Sequence, residues 1–199
     1  MEDKASQGCF TAHFKHRNVE LTEDKIDDMV EVTGQGRLGI LLQHCTITGI
    51  AHDGYMDPEE TEDFSWMLTQ AFYNLKRRSS SGGLVSLCLR VAARIEGPGE
   101  VLVEPTEFSN WRNVQTVAER TFNITMGALR KSGLRVDEEL DIYYGLQGCG
   151  LACIPFLRFV SKAKLKRNFG TLKILKVSMS APHDYEAGMA MMGQTLQQS

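Results

Sequence analysis

No stretch of this 199-residue chain approaches the ~18–20 consecutive apolar residues that a bilayer-spanning helix requires. The opening residues, MEDKASQGCF, place acids at positions 2 and 3 and contain no apolar h-region, so a secretory signal is not expected. A Met-Gly start, which myristoylation needs, is also missing. Cysteine is sparse and odd in number: Cys9, Cys45, Cys88, Cys149 and Cys153 read as reduced thiols rather than a disulfide framework. With 42% apolar and 24% charged residues the chain has the balance of a globular protein, which excludes wholesale disorder. Its length suits one or at most two domains with a real core. The expectation is a soluble intracellular domain.

The motifs of common chemistries are equally thin. Cys149 and Cys153 are four residues apart, with His44, Cys45 and His52 as conceivable co-ligands. A structural zinc site usually takes two compact ligand pairs, so no metal is expected. His13 and His16, three apart in a strand-like stretch, point to opposite faces and cannot share an ion. Gly34-Gln35-Gly36-Arg37-Leu38-Gly39 spells a G-x-G-x-x-G. A dinucleotide fingerprint follows a strand and opens a helix, whereas this one precedes β-like sequence. Nothing in the spacing places a nucleophile, a histidine and an acid together. The reading is therefore a protein that is not an enzyme and carries no cofactor.

Charge is where the sequence departs from the ordinary. The total, 22 Lys+Arg against 25 Asp+Glu, is a mild −3. Residues 1–63, however, hold 14 acids and five bases, and the remainder has a net +6. Within the remainder, residues 158–176 contain seven bases and no acid: Arg158, Lys162, Lys164, Lys166, Arg167, Lys173 and Lys176. Such a run binds phosphates through counterion release, on RNA or on anionic lipid headgroups. A plainer reading is an edge strand guarded by lysine. Phe159 and Phe169 are the only aromatics near the lysines, which argues against base-specific readout. Lys76, Arg77 and Arg78 form a secondary basic patch, which compensation of a helix dipole would also explain. Opposite charges at the two ends of a chain can pair within one molecule or head-to-tail between molecules.

Periodicity gives the expected elements. Phe10–Lys15 alternates as a short strand, residues 22–33 are too polar to assign, and Arg37–Ile50 reads as one or two strands. Asp57 is placed to cap a helix opening at Pro58, with Phe64, Leu68, Ala71, Phe72 and Leu75 as its apolar stripe. Ser79 to Gly83 ends it. Trp66 and Tyr73 fall off that stripe and suit protein contact. Residues 84–95 satisfy both periods, and length and alanine content favour a second helix. Glu100–Glu104, Val114–Met126, Glu138–Tyr144, Leu151–Val160 and Gly170–Ser180 read as strands between turn signals. The sum is an α+β fold, an antiparallel sheet packed against two helices. It is expected as a single compact domain over residues 34–180, with an acidic N-terminal arm over 1–33 and a flexible Met/Gln-rich tail over 181–199.

The helix WMLTQAFYNLKRR, the Ser/Gly loop, the apolar segment LVSLCLRVAARIEGPG and the stretches ERTFNITM, DEELDIYYG, IPFLRFVSKAKLKR and FGTLKILKVSM resemble, in their order, the matrix proteins of rhabdoviruses. The resemblance spans roughly residues 60–180. It lacks the Pro-Pro-x-Tyr budding motif typical of animal members, which suits a divergent or plant-infecting one. Tyr143-Tyr144-Gly145-Leu146 fits a Tyr-x-x-Leu late-domain-like pattern, on Tyr143 and Leu146.

The resemblance implies a sheet packed on two helices and a viral structural protein that self-associates, condenses the nucleocapsid and bridges it to the inner face of the envelope. Its partners would be further copies of itself, the viral nucleoprotein–RNA complex, an anionic membrane surface, and a viral glycoprotein and host factors. Its place would be the virion beneath the envelope, the host cytoplasm and the cytoplasmic face of membranes, with the nucleus as a further compartment. Nucleocapsid or lipid contact falls to the seven bases of 158–176. Self-association falls to the acidic arm (Glu23, Asp24, Asp27, Asp28) and to the Trp66/Tyr73 face. The alternative is a non-structural RNA-binding viral factor, such as a silencing suppressor or movement protein.

Overall fold

The computed structural model describes residues 14–34, 38–51, 58–79, 81–95, 101–105, 111–147, 149–160 and 165–180. In chain order the elements are β1 (His16–Glu20), α1 (Glu23–Gly34), α2 (Leu38–Leu41), β2 (His44–Ala51), α3 (Pro58–Arg78), β3 (Gly83–Ile95), β4 (Val101–Val103), α4 (Trp111–Ser132), β5 (Arg135–Ile142), α5 (Cys153–Val160), α6 (Leu165–Phe169) and β6 (Ile174–Val177). Five strands run parallel in the order β1-β2-β3-β5-β6. β4 is antiparallel to the end of β3. Ala93 pairs with Ala51 on one side and Val103 on the other, so β4 lies on β5's side of β3, beyond the end of β5.

This corrects the expected fold class. The sheet is parallel and its strands are joined by helices, an α/β arrangement and not an antiparallel sheet on two helices. Parallel neighbours cannot be joined by tight turns, and the connecting helices supply the crossovers. Each parallel strand lies beside the parallel strand before it, and crossovers are right-handed, so every helix returns over the same face. α1, α3 and α4 accordingly pack side by side in that order. Phe159 of α5 meets Phe122 of α4 and Phe169 of α6 edge-on, which extends the same layer.

One core lies between this layer and the sheet. α3 buries the stripe expected of it, Phe64, Leu68, Ala71, Phe72 and Leu75. α4 buries Val114, Val117, Ala118, Thr121, Phe122, Thr125 and Leu129, a run at helical spacing, although its β-branched residues had suggested a strand. Leu151–Val160 likewise contains helix α5 and not a strand. Residues 84–95 resolve as β3: Leu87, Leu89 and Val91 face the core, while Ser86, Cys88 and Arg90 alternate away from it. Residues 16–34 are built into the domain as β1 and α1, with Val19, Leu21, Ile26 and Met29 in the core, so they are not a separate arm. The expected strand at Phe10–Lys15 falls mostly outside the described residues, as do Asp57 and the 181–199 tail.

Two backbone positions fix the packing. Gly49 of β2 lies against α4, where an added Cβ would sit 2.0 Å from Thr121 Oγ1 and 2.9 Å from Val117 Cγ1. Tyr143 closes β5 in the left-handed region at φ 60°, unusual for a bulky side chain. Full burial and donation of its hydroxyl to Ala118 O at 2.6 Å hold it there. Overpacking at the first position is expected to cost about 1–3 kcal/mol in the Gly49→Ala variant. Urea denaturation should show it as a lower midpoint, and adding Thr121→Ala should restore most of the loss. Unchanged stability of the single variant would mean that α4 does not sit this close to β2.

Candidate functional site

Winding all helices onto one face leaves the other face of the sheet without a helix among the described residues. Its side chains are polar and pair across strands. Thr48 Oγ1 donates to Asn18 Oδ1 at 2.8 Å, and Arg94 Nη2 to Glu20 Oε2 at 3.1 Å. Arg90 forms a two-pronged ion pair with Asp141, at 2.9 and 3.0 Å. Asp141 Oδ1 also accepts from the backbone of Tyr144, which ties the pair to the turn after β5. Lys176 Nζ meets Glu139 Oε1 at 2.6 Å. Toward the C-terminal ends of β2 and β3 the face turns apolar, with Ile50 and Ala92 buried.

At the other end of this face His44 Nδ1 and Ser86 Oγ share a hydrogen bond of 2.8 Å, and the His16 ring stacks on His44 at 4.2 Å, with 7° between planes. A serine beside a histidine invites a catalytic reading. Ser86 and His44 are, however, the first register partners of the β2–β3 ladder, and the backbone amides of Val85 and Ser86 that an oxyanion would need already donate to Gln43 O. The pair works as a cross-strand link. The thiols point the same way: burial pushes Cys45 and Cys149 up to about 12 and Cys88 to about 11, so none is a thiolate near neutral pH. Among the described residues no three His, Cys, Asp or Glu side chains converge as a metal site. A cavity of about 90 Å3 beside Phe14, Met29, Val32 and Leu42 is far below the roughly 300 Å3 of small ligand sites.

The charged groups are sorted along the strand axis. α1, α3 and α4 all run antiparallel to the strands, so their C-termini gather at the N-terminal end of the sheet. α3 ends in Lys76, Arg77 and Arg78, and α4 in Arg130 and Lys131. Arg135 opens β5, and Arg167 sits on α6 just before β6. An added Cβ at Gly133 would lie 3.0 Å from Lys76 Nζ and 3.2 Å from Arg167 Nη2, so two bases 91 positions apart converge on one glycine. Part of this cluster caps helix ends. Lys76 donates to Ser132 O and Arg78 to Gly34 O, while Arg135 donates to Ser81 O in the loop after α3. The guanidinium of Arg77 lies 5.8 Å from the centre of the Tyr73 ring. At the opposite end lie the acidic first turn of α1, Glu23 and Asp24, and the exposed Glu62 and Asp63 of α3.

The basic run of 158–176 is thereby divided. Leu165–Phe169 form α6 and Ile174–Val177 form β6. Lys173 and Lys176 are spent on Glu138 and Glu139, at 2.7 and 2.6 Å, and the Lys173 partnership holds the Glu138 carboxyl below its usual range. Arg167 joins the basic end. Arg158 lies on α5 and Lys166 on α6, while Lys162 and Lys164 lie outside the described residues. Asp27 and Asp28 are exposed on α1, and Trp66 and Tyr73 are exposed on α3. Tyr143 and Leu146 are both in the core, so a docking partner could reach this late-domain-like pair only if the turn left its place. Arg130, Lys131 and Arg135 were not anticipated. The signal was present in Leu-Arg-Lys-Ser-Gly, bases in a last helical turn before Gly133 at φ 68°. No family model matches the chain, and neither the curated proteins nor the solved structures give a match.

His44 carries a pH signature. Burial, then the nearby His16 and Lys15, lower the pKa of His44 against the opposing pull of Glu138 and Glu139. A depressed folded-state pKa means that the unfolded chain binds the proton more readily. This contribution to stability is complete above pH 6.5 and is lost as pH falls through the lowered value. His44→Gln should flatten the dependence of the urea midpoint on pH between about 7 and 5. An unchanged slope would show that other groups set it.

Proposed function

We propose that the protein is an assembly scaffold that holds the phosphates of a ribonucleoprotein with the basic end of its sheet domain. The observation that carries this reading is the convergence of Lys76–Arg78, Arg130, Lys131 and Arg167 from three distant segments onto one end. Capping helix carbonyls uses one or two bases per helix. The exposed Arg77, Arg130, Lys131 and Arg167 go beyond that use. Clustered cations exchange condensed counterions for phosphate contacts, a sequence-independent mode that suits a protein packing a long polymer.

The acidic end gives the same scaffold a way to associate with itself, since the acidic helix starts of one copy complement the basic helix ends of the next. A contact of that kind is heterologous and propagates rather than closing. This is the function that the matrix-protein resemblance implies, without the fold it implies, and the basic end is its support. An anionic membrane offers the same phosphate chemistry and forms the second arm of the test.

Binding of a 20-nucleotide single-stranded RNA should weaken steeply with salt, about 0.7 of a log unit per contact for each tenfold rise. Replacing Arg77, Lys131 and Arg167 together by Gln should reduce that slope by about 2 and leave the melting temperature within a few degrees. Phosphatidylserine vesicles replace RNA in parallel. Preferential retention on vesicles would move the assignment to a membrane, and an unaltered slope in the triple variant would remove it from this end of the molecule.

A further inference from the structure

The outward face of α3 is taken up neither by the core nor by the capping of helix ends. Trp66, Tyr73 and Arg77 lie on it in one line, because seven and eleven positions are close to two and three helical turns. Trp66, 66% exposed, is the most exposed large apolar side chain of the described residues, and Tyr73 is 45% exposed. One aromatic on a surface is ordinary, but two aligned with a guanidinium form a pattern. The Arg77 guanidinium lies 5.8 Å from the centre of the Tyr73 ring, so a cation accompanies the second aromatic.

α4 brings further cations to the same line. Lys131 Nζ donates to Ser65 Oγ at 3.4 Å and Lys76 Nζ to Ser132 O at 3.3 Å, so α4 ends beside the middle of α3. The exposed Arg130 and Lys131 therefore stand alongside the aromatic residues and not beyond them. No ion pair joins Arg77, Arg130 or Lys131 to an acid among the described residues. On the other flank α1 displays the exposed Asp24, Asp27, Asp28 and Glu31, and the exposed Glu62 and Asp63 precede Trp66 on α3. The aromatic line thus runs along the border between acidic and basic surface.

We propose, resting on the phosphate-binding reading of the basic end, that this face of α3 is a stacking platform for single-stranded RNA. Trp66 and Tyr73 each take one base, and Arg77, Arg130 and Lys131 hold the phosphates of the same strand. Every base has a π-face, so such stacking is sequence-tolerant and suits a protein that packs a long polymer. The two aromatic residues are ~10.5 Å apart along the helix axis, well beyond the ~3.4 Å step between stacked bases. Only a strand free to splay its bases reaches both. The bases of an A-form duplex stay paired and stacked on one another, so a duplex meets the phosphate sites alone. Acids on the α1 flank repel the backbone and leave the α4 flank as its path.

Fluorescence of the full chain carrying Trp111→Phe, which leaves Trp66 as the sole tryptophan, tests it. A 20-nucleotide single-stranded RNA should quench the emission, and a duplex of the same sequence should bind through its phosphates without quenching. A second variant series keeps Trp111. There Trp66→Leu should weaken single-strand binding about fivefold or more with the salt slope unchanged, and Trp66→Phe should retain most of the affinity. Leucine keeps an apolar side chain and removes the π-face. Far-ultraviolet circular dichroism should remain that of the native chain, since the position is exposed. Single-strand binding with the native salt slope but no quenching overturns the platform and spares the basic end. Full affinity in Trp66→Leu, or equal quenching by the duplex, does the same. A response of Trp66 to phosphatidylserine vesicles but not to RNA overturns it in favour of a membrane. Absence of any RNA binding by the native chain removes the basic end and the platform together.

Discussion

A parallel strand can be added beside its neighbour only after the chain has travelled back the length of the sheet, and the handedness of that return is nearly fixed. When every addition goes to the same side, as in β1-β2-β3-β5-β6, every return passes over the same face. The helix layer, the position of the core and the sorting of charge follow from this. Helix starts gather at one end of the strands and helix ends at the other. Residues that favour the two poles of a helix dipole therefore collect into an acidic and a basic end of the whole domain.

The same winding leaves a sheet face with no helix over it among the described residues. The chain meets that constraint by alternation: Leu87, Leu89 and Val91 lie under the helices, and Ser86, Cys88 and Arg90 between them face outward. The outward residues find partners across strands, Arg90 with Asp141, Asn18 with Thr48, His44 with Ser86, so that half-buried polar groups are not left unpaired. Such a face is at ease in water. Clustered charge is displaced from the broad face to the ends of the domain.

The sequence displayed some of this and disguised the rest, for reasons that particular segments make plain. α3 was legible because its apolar stripe, its opening proline and its terminal bases all agree. β3 was ambiguous because Leu87, Cys88, Val91 and Ala92 lie at helical spacing within a strand that sends Leu84, Leu87, Leu89 and Val91 into the core. α4 was misread because Val114, Val117, Thr121, Ile124 and Thr125 favour strands by composition while spelling a helix by spacing, and here spacing prevailed. Reading α4 and α5 as strands removed two crossovers, and with them the parallel sheet. The basic site was half visible: a run of lysines along the chain exaggerates the cluster when some, like Lys173 and Lys176, turn to acids on a neighbouring strand. Proximity in space, as of Lys76 and Arg167 at Gly133, has no signature in one dimension.

Strand order also bears on how the chain is made. In most doubly wound sheets a central strand must wait for later segments to flank it on both sides. Here each of β2, β3, β5 and β6 pairs with a strand already completed before it. A chain emerging from the ribosome can thus enlarge one sheet stepwise from its first edge, closing a single crossover at a time and never leaving a gap to be filled from behind. Among the described residues, the order of the parallel strands across the sheet is their order of synthesis, and β6 is the last of them added.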